Sequence, residues 1–457
     1  MKDGTVHFIG IGGIGMSALA RILLAGGERI SGSDVRESPI LSELRAAGAR
    51  ISIGHAAAHI DGAREAIFSS AIDPANPEYH AALEKGLPLS RRGELLARLM
   101  RGRRGIAICG THGKTTTTAM AARVLFAGGI DASVVLGGIA IDSASNAHDG
   151  TADWFLTEAD ESDGSFASLE PEIAVVNNIE NDHLSTDAEL PQLVEAFAGF
   201  LRKLPTAGKA IVGADNCWSA SLASAVSEER LTTFGFSEGA NVRAVAARYR
   251  GIGSTFEVLA SGEPIGTVEL GVPGAINVSN ALAAVAVGRS VGIPFPAIAR
   301  GLRGFSGVRR RFEILADTTR MTVIDDYAHH PTAVEATIAA ARAYRPGPIY
   351  VAFQPHRYSR TAYLARDFAR ALEGADRVYL TPIYAASEMP LKGTSERSIG
   401  EPLASAGTDV RYVARVEDLP RRLLEDAPDG ALVLMLGAGN ITAMAAQLAG
   451  RLLKASA

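Results

Sequence analysis

Seven consecutive residues, Gly110-Thr111-His112-Gly113-Lys114-Thr115-Thr116, combine the groups needed to hold a polyphosphate. Glycines let the backbone turn its N–H groups toward phosphate oxygens, Lys114 brings a cation to the β- and γ-phosphates, and the Thr115 hydroxyl suits Mg2+. The run follows the apolar stretch Ile106-Ala107-Ile108-Cys109 and precedes a helical pattern over 117–124, the strand–loop–helix setting such a loop requires. Ile108 stands where the full Walker spacing has its first glycine, so the loop is a variant of that pattern. A second run, Gly10-Ile11-Gly12-Gly13-Ile14-Gly15, fits G-x-G-x-x-G between a strand-like 6–9 and a helical 15–25. It would bring backbone and a helix N-terminus close to a pyrophosphate, and Asp34 could accept hydrogen bonds from a ribose or base. By itself this loop would suit an NAD-dependent dehydrogenase, but two such loops imply two nucleotides, and a dehydrogenase leaves 110–116 unexplained.

Carboxylates gather where strands end. Glu158-Ala159-Asp160-Glu161-Ser162-Asp163 closes the strand-like run 154–157, and carboxylates so close repel unless a cation is present or most face water. A second strand end, Val175-Val176-Asn177-Asn178-Ile179-Glu180-Asn181-Asp182-His183, supplies His183 as a candidate metal ligand. A solvated acidic loop and a structural histidine are the alternatives these residues leave open.

Positioning these groups falls to alternating strands and helices, the pattern of parallel sheets covered by helices. Strands are expected at 6–9, 29–31, 49–53 and 66–69, with helices at 15–25 and 40–47; 101–105 reads as a linker. After a second αβ block, 231–270 alternates apolar and polar residues and reads as antiparallel hairpins, followed by a helix over 277–291. A third block alternates again, with strands at 322–324, 349–353, 378–380 and 432–436 and helices at 332–344 and 361–372. The expected fold is α/β in three domains: a Rossmann-like one at 1–102, a central P-loop-type one with an antiparallel edge at 103–306, and a Rossmann-like one at 307–457. A net charge of -5 offers no long-range pull toward nucleic acid or anionic membrane. Cys109 and Cys217 are too far apart for a zinc spacing, and no leader-like or membrane-spanning run is visible, so a cytoplasmic location is expected.

The loop 110–116, the segment 158–166 and Asn178-Ile179-Glu180-Asn181-Asp182-His183 together resemble the Mur ligases, and the resemblance runs over essentially the whole chain. It implies an ATP-dependent, amide-forming enzyme using Mg2+, with UDP-N-acetylmuramate, L-alanine and ATP as partners, acting as monomer or homodimer. It reassigns the first loop to UDP, through Gly12, Gly13, Gly15, Met16 and Ser17, with Asp34, His55, Ser69 and Ser70 as further contacts. ATP would lie against Gly110, Thr111, His112, Gly113, Lys114, Thr115 and Thr116, with Asn277 and Asn280 at adenine, Arg311 near the phosphates and Asp326 at the ribose. Thr115, Glu158 and His183 would hold the metal. His330, His356, Arg357 and Arg360 would surround the reacting carboxylate and the amino acid, and three cationic-capable groups within five residues make a natural carboxylate trap. The chain departs from the family pattern at Gly274-Ala275-Ile276-Asn277, Leu184-Ser185-Thr186-Asp187 and Gly437-Ala438-Gly439-Asn440. The related ligase that attaches a tripeptide to the same sugar nucleotide is the nearest alternative; Ser162 and the string His356-Arg357-Tyr358-Ser359-Arg360-Thr361 speak against it.

Overall fold

The apolar runs resolve into three sheets in the computed structural model, which describes residues 4–160, 165–182 and 187–456. The chain divides into two compact units: Met1–Ile179, Val194–Val242 and Ala283–Gly301 form one, and Glu180–Leu193, Arg243–Leu282 and Leu302–Ala457 the other.

In the first unit, five parallel strands lie in the order Arg50–Ile53, Ile30–Asp34, Thr5–Ile9, Ala63–Phe68, Leu89–Arg91. The direction of winding reverses between Thr5–Ile9 and Ala63–Phe68, and ligands of open α/β sheets gather at the carboxyl ends of the strands beside such a reversal. The glycine loop 10–15 leaves the first of these strands there and Ser69 leaves the second. Thr5–Ile9 is buried throughout, its polar residues Thr5 and His7 included.

Six strands of the second sheet run parallel in the order Leu231–Gly235, Lys209–Gly213, Ile173–Val176, Arg104–Cys109, Trp154–Glu158, Ser133–Val135, and Ala147–His148 pairs antiparallel with the last. Two expectations are corrected here. Residues 104–105 belong to a strand rather than to a linker: Arg104 pairs with Trp154, stacks its guanidinium 4.0 Å from that indole and binds Glu172. Leu231–Gly235 is parallel to Lys209–Gly213, so the antiparallel region begins later than 231. A half-buried strand alternates whichever way its neighbour runs, so the pattern could not decide this.

The second unit contains the hairpin Gly253–Ala260 and Glu263–Leu270, as expected of the antiparallel region. Its two-residue loop, Ser261-Gly262, has φ of 50° and 87°, the doubly positive pair that matches the twist of the strands. The third sheet runs Glu313–Asp317, Met321–Asp326, Ala431–Leu436, Ile349–Phe353, Arg377–Leu380, Asp409–Tyr412, with its first strand antiparallel and the rest parallel. Apolar clusters cover both faces, one around Phe353 and Leu434, the other around Tyr379 and Val433. Asp326, Leu436 and Phe353 lie side by side in register, so three loops start from one line across the sheet. Among the described residues no helix is long and apolar enough to cross a membrane.

Candidate active site

In the first unit, Cys109 pairs with Val176 and Ile108 with Glu158, so the phosphate-type loop, the Asn177-Asn178 turn and the acidic segment leave neighbouring strand ends. Gly110 has φ of 116°, and a Cβ there would lie 2.8 Å from the Asn178 carbonyl; Gly113, at φ 80°, caps the helix Lys114–Ala127. Both positions favour glycine. Asn178 clamps the loop by accepting from Thr111 N at 3.0 Å through its carbonyl and from His112 N at 2.8 Å through Oδ1. Asn177 Nδ2 adds bonds to the His112 carbonyl at 3.2 Å and to Thr117 Oγ1 at 3.0 Å. Lys114 starts the helix with its ammonium 3.8 Å from Asp160 Oδ1. The Thr115 hydroxyl donates to Glu158 Oε2 at 2.9 Å, and Gly137 N donates to the other carboxylate oxygen. A hydroxyl and a carboxylate that converge in this way are a hard-oxygen pair that fits Mg2+. Thr115 and Thr116 are otherwise buried. His183 lies outside the described residues, as do Glu161, Ser162 and Asp163.

Around the first glycine loop, Gly10 turns at φ 80° and Gly13 precedes the helix Ile14–Ala25. Asp34 Oδ2 accepts from Gly12 N at 2.8 Å, so this carboxylate ties the glycine loop to the end of the neighbouring strand Ile30–Asp34. A Cβ on Gly15 would meet Arg92 Cδ at 3.0 Å. Met16 and Ser17, expected at the UDP-sugar, are both buried, and Ser17 donates to the Ile14 carbonyl at 3.0 Å while accepting from Asn146 Nδ2 at 2.9 Å. Ser69 and exposed Ser70 form the turn after Ala63–Phe68, and His55 follows Arg50–Ile53, all at the carboxyl edge of the sheet.

In the second unit, the chain leaving Met321–Asp326 and Ile349–Phe353 brings His329, His330, His356, Arg357 and Arg360 into one neighbourhood with the segment 180–182. Arg360 is buried, with Nε 3.0 Å from Asp182 Oδ1 and Nη2 3.2 Å from the Asp182 carbonyl. Its Nη1 lies 3.3 Å from His356 Nδ1. Arg360 thus has a carboxylate neighbour within the chain, Asp182. His330 Nε2 is 3.2 Å from the Asn181 carbonyl and Nδ1 is 3.6 Å from Glu180 Oε2. His356 stacks on Tyr384 with ring centroids 5.5 Å apart. Burial, together with the charges of His329, Arg360 and Arg357, pushes the His356 imidazole down to about 3, so it is uncharged at neutral pH. Of the two arginines beside it, Arg360 is buried and Arg357 is partly exposed. Arg357 sits at φ 72° just before the helix Tyr358–Leu372, its N–H bonded to the Tyr384 carbonyl at 2.8 Å.

Asp326 is also engaged by backbone, accepting from Phe312 N and Ala328 N at 2.8 Å each. It secures a strained turn in which Arg310 and Phe312 have φ of 60° and 50°. Arg310 and Arg311 both stack on Tyr327, at 4.8 and 4.9 Å. Asn277 Nδ2 donates to the Pro273 carbonyl at 2.7 Å and its Oδ1 accepts from Asn280 at 3.3 Å, inside the helix Ala275–Ser290.

Comparison with known proteins decides the family. Residues 5–104 match the Mur ligase family, catalytic domain; 108–288 match the Mur ligase middle domain; and 310–439 match the Mur ligase, glutamate ligase domain. The chain belongs to the Mur ligase family. The UDP-N-acetylmuramate–L-alanine ligase of Desulforamulus reducens is 42% identical over 99% of this chain and 98% of its own length. That of Acidithiobacillus ferrooxidans is 45% identical over 97% and 96%. Among solved structures, the UDP-N-acetylmuramate-alanine ligase of Thermotoga maritima superposes with a TM-score of 0.85 at 29% identity, covering 99% of this chain and 100% of that one. A murein peptide ligase of Psychrobacter arcticus, at 24% identity and TM-score 0.74, shares the fold.

Two features of this Mur ligase escaped the sequence. Asn177 and Asn178 were visible as a strand end but gave no sign of clamping a loop some 65 positions away in the chain. Asp182 was visible as an acid beside His183, yet its partner Arg360 lies 178 positions away.

Proposed function

We propose that this Mur ligase joins L-alanine to the carboxylate of UDP-N-acetylmuramate with ATP, releasing ADP and phosphate, in cytoplasmic synthesis of peptidoglycan precursor. The observation that carries the reading is the end-to-end likeness to ligases named for this reaction, at 42% and 45% identity. The three-domain division at 1–102, 103–306 and 307–457, with UDP-sugar, ATP and amino-acid tasks in that order, belongs to the same proposal.

A carboxylate is a poor electrophile. Its oxygen attacks the γ-phosphorus of ATP, the bond to the β,γ-bridging oxygen breaks, and ADP leaves an acyl-phosphate. The amine of alanine then attacks the acyl carbon, loses a proton, and phosphate departs with the C–O electron pair. The chain contributes mainly position and charge. The backbone N–H groups from Gly113 to Thr115, at the start of the helix Lys114–Ala127, would receive the triphosphate, in the shape that Asn178 enforces by holding the N–H groups of Thr111 and His112. Lys114 offsets the charge gathered where carboxylate meets phosphate. Thr115 and Glu158, with His183, would hold Mg2+, which supplies further charge neutralisation when bound. Arg357 receives the carboxylate of alanine, and Arg360, paired with Asp182, fixes the start of its own helix against 180–182.

Phosphate release from ATP, measured with UDP-N-acetylmuramate and single amino acids, tests this. Release should appear with L-alanine, fall steeply with glycine and serine, and fail with alaninamide. Equal turnover of alaninamide would remove the carboxylate contact, and preference for a tripeptide would make the protein a peptide-recycling ligase.

A further inference from the structure

Beneath the carboxyl edge of the first sheet sits a buried acid that the proposed reaction does not use. Glu78, on the helix Pro77–Glu84, is fully buried. Its Oε2 accepts from Ser33 Oγ at 2.5 Å and lies 3.2 Å from His7 Nε2. Its Oε1 accepts from Ala56 N at 3.3 Å and lies 2.7 Å from His59 Nδ1 and 3.5 Å from His55 Nδ1. Burial pushes the carboxyl upward, but hydrogen bonds from His7, Ser33 and His59 outweigh it and hold Glu78 at about 2. The acid is therefore a carboxylate at neutral pH and only accepts hydrogen bonds.

Counting protons around it fixes the polarity of His55. Ser33 owns one hydroxyl proton and gives it to Glu78. Its oxygen is then an acceptor toward His55 Nδ1, 3.0 Å away. Both atoms near Nδ1, Ser33 Oγ and Glu78 Oε1, are acceptors, so Nδ1 carries the proton. On the neutral ring Nε2 is then a bare lone pair, with no hydrogen-bond partner among the described residues. The ring is partly exposed, two residues past the strand Arg50–Ile53, at the edge that also carries Asp34 and Ser69.

We propose that Glu78 is a positioning residue which, through Ser33, holds His55 as the Nδ1–H tautomer, so that Nε2 accepts a hydrogen bond from a neutral N–H or O–H of the nucleotide's nucleoside half. The nucleotide part rests on the reading of this edge as a UDP-sugar site. A lone pair repels phosphate oxygens, so the same device keeps His55 from competing with the glycine loop for the diphosphate.

Glu78→Gln inverts the arrangement in a defined way. Ala56 N–H cannot reverse, so the glutamine oxygen must stay at the Oε1 place and the amide NH2 must take the Oε2 place. Ser33 then accepts from the amide, and its own proton finds an acceptor only at His55 Nδ1, because the alternative leaves a buried hydroxyl unpaired. His55 becomes the Nε2–H tautomer, a donor. The experiment is 15N NMR of the imidazoles in 15N-histidine-labelled full-length protein, beside calorimetry with UDP. The wild type should show Nδ1 protonated and Nε2 bare at neutral pH; E78Q should show the reverse and bind UDP roughly tenfold more weakly. Ser33→Ala, a smaller change, should leave the two tautomers mixed with an intermediate loss, which keeps the idea testable if E78Q does not fold. With 3-methyl-UDP or 2′,3′-dideoxy-UDP, the extra loss in E78Q should vanish for the analogue that lacks the donor His55 accepts. A wild-type imidazolium or Nε2–H ring overturns the proposal, as does a loss that persists with both analogues or an affinity that E78Q leaves unchanged. If the wild type shows the expected tautomer but binds no UDP, the nucleotide reading falls while the polarity of His55 stands.

Discussion

Lys114 is the residue on which the proposed chemistry leans hardest. It opens a helix whose preceding glycine, at φ 80°, lets the loop end with its N–H groups and the lysine on one side. A pre-placed charge of this kind stabilises a transition state by about 3 kcal/mol. Lys114→Ala should therefore lower kcat for phosphate release by roughly 10²–10³-fold while circular dichroism stays unchanged. Near-normal turnover would return Lys114 to the role of an ordinary helix start. At the same scale, Asp34 holds the N–H of Gly12 and Asp326 those of Phe312 and Ala328, while Met16 and Ser17 are buried.

At the scale of elements, the helix Tyr358–Leu372 divides two arginines between two jobs. Arg357 precedes the helix and is partly exposed; Arg360, one turn on, is buried against Asp182. Breaking a buried ion pair from one side leaves an uncompensated charge and costs about 3–5 kcal/mol. Arg360→Ala should thus lower Tm as well as activity, whereas Arg357→Ala should leave Tm nearly unchanged and raise the KM for alanine, by roughly ten- to a hundredfold for a lost charge-assisted contact, with little effect on that for ATP. Steady-state kinetics paired with thermal melts separate the two. Equal loss of Tm in both variants would mean that Arg357 is a packing residue.

For the whole molecule, two buried acids push stability in opposite directions with pH. Glu78 is lowered from 4.5 to about 2, so its contribution is present above pH 4.5 and is lost as pH falls toward 2. Asp325 is raised from 3.8 to about 6, by burial against the opposing pull of Thr442 and Arg310, so its contribution is present below pH 3.8 and is lost as pH rises through 6. They lie in different compact units. Melts across pH should show Asp325→Asn raising Tm above pH 6 and doing little near pH 3.8, while Glu78→Gln flattens the fall of Tm between pH 4.5 and 2. A uniform offset at every pH in either variant would mean that the substitution acts through packing rather than charge.

Much of this was decided locally and was therefore legible in the chain. The run 106–116 needs a strand, a glycine turn and a helix in sequence, and each is dictated by neighbouring residues; so is the loop 10–15. Local patterning also made the α/β class legible, because parallel strands buried on both faces leave continuous apolar runs such as Ile349–Phe353 and Ala431–Leu436. What tertiary structure alone decided is who meets whom. Alternation cannot report the direction of a neighbouring strand, so Leu231–Gly235 was read in the wrong sense. Nor can spacing report that Asn178 clamps a loop 66 positions away, that Glu78 gathers His7, His55 and His59, or that Arg360 is already occupied by Asp182. Those pairings arise because parallel sheets place the carboxyl ends of strands distant in sequence side by side, and the free energy of burying a polar group depends on the partner found there and not on the residue alone.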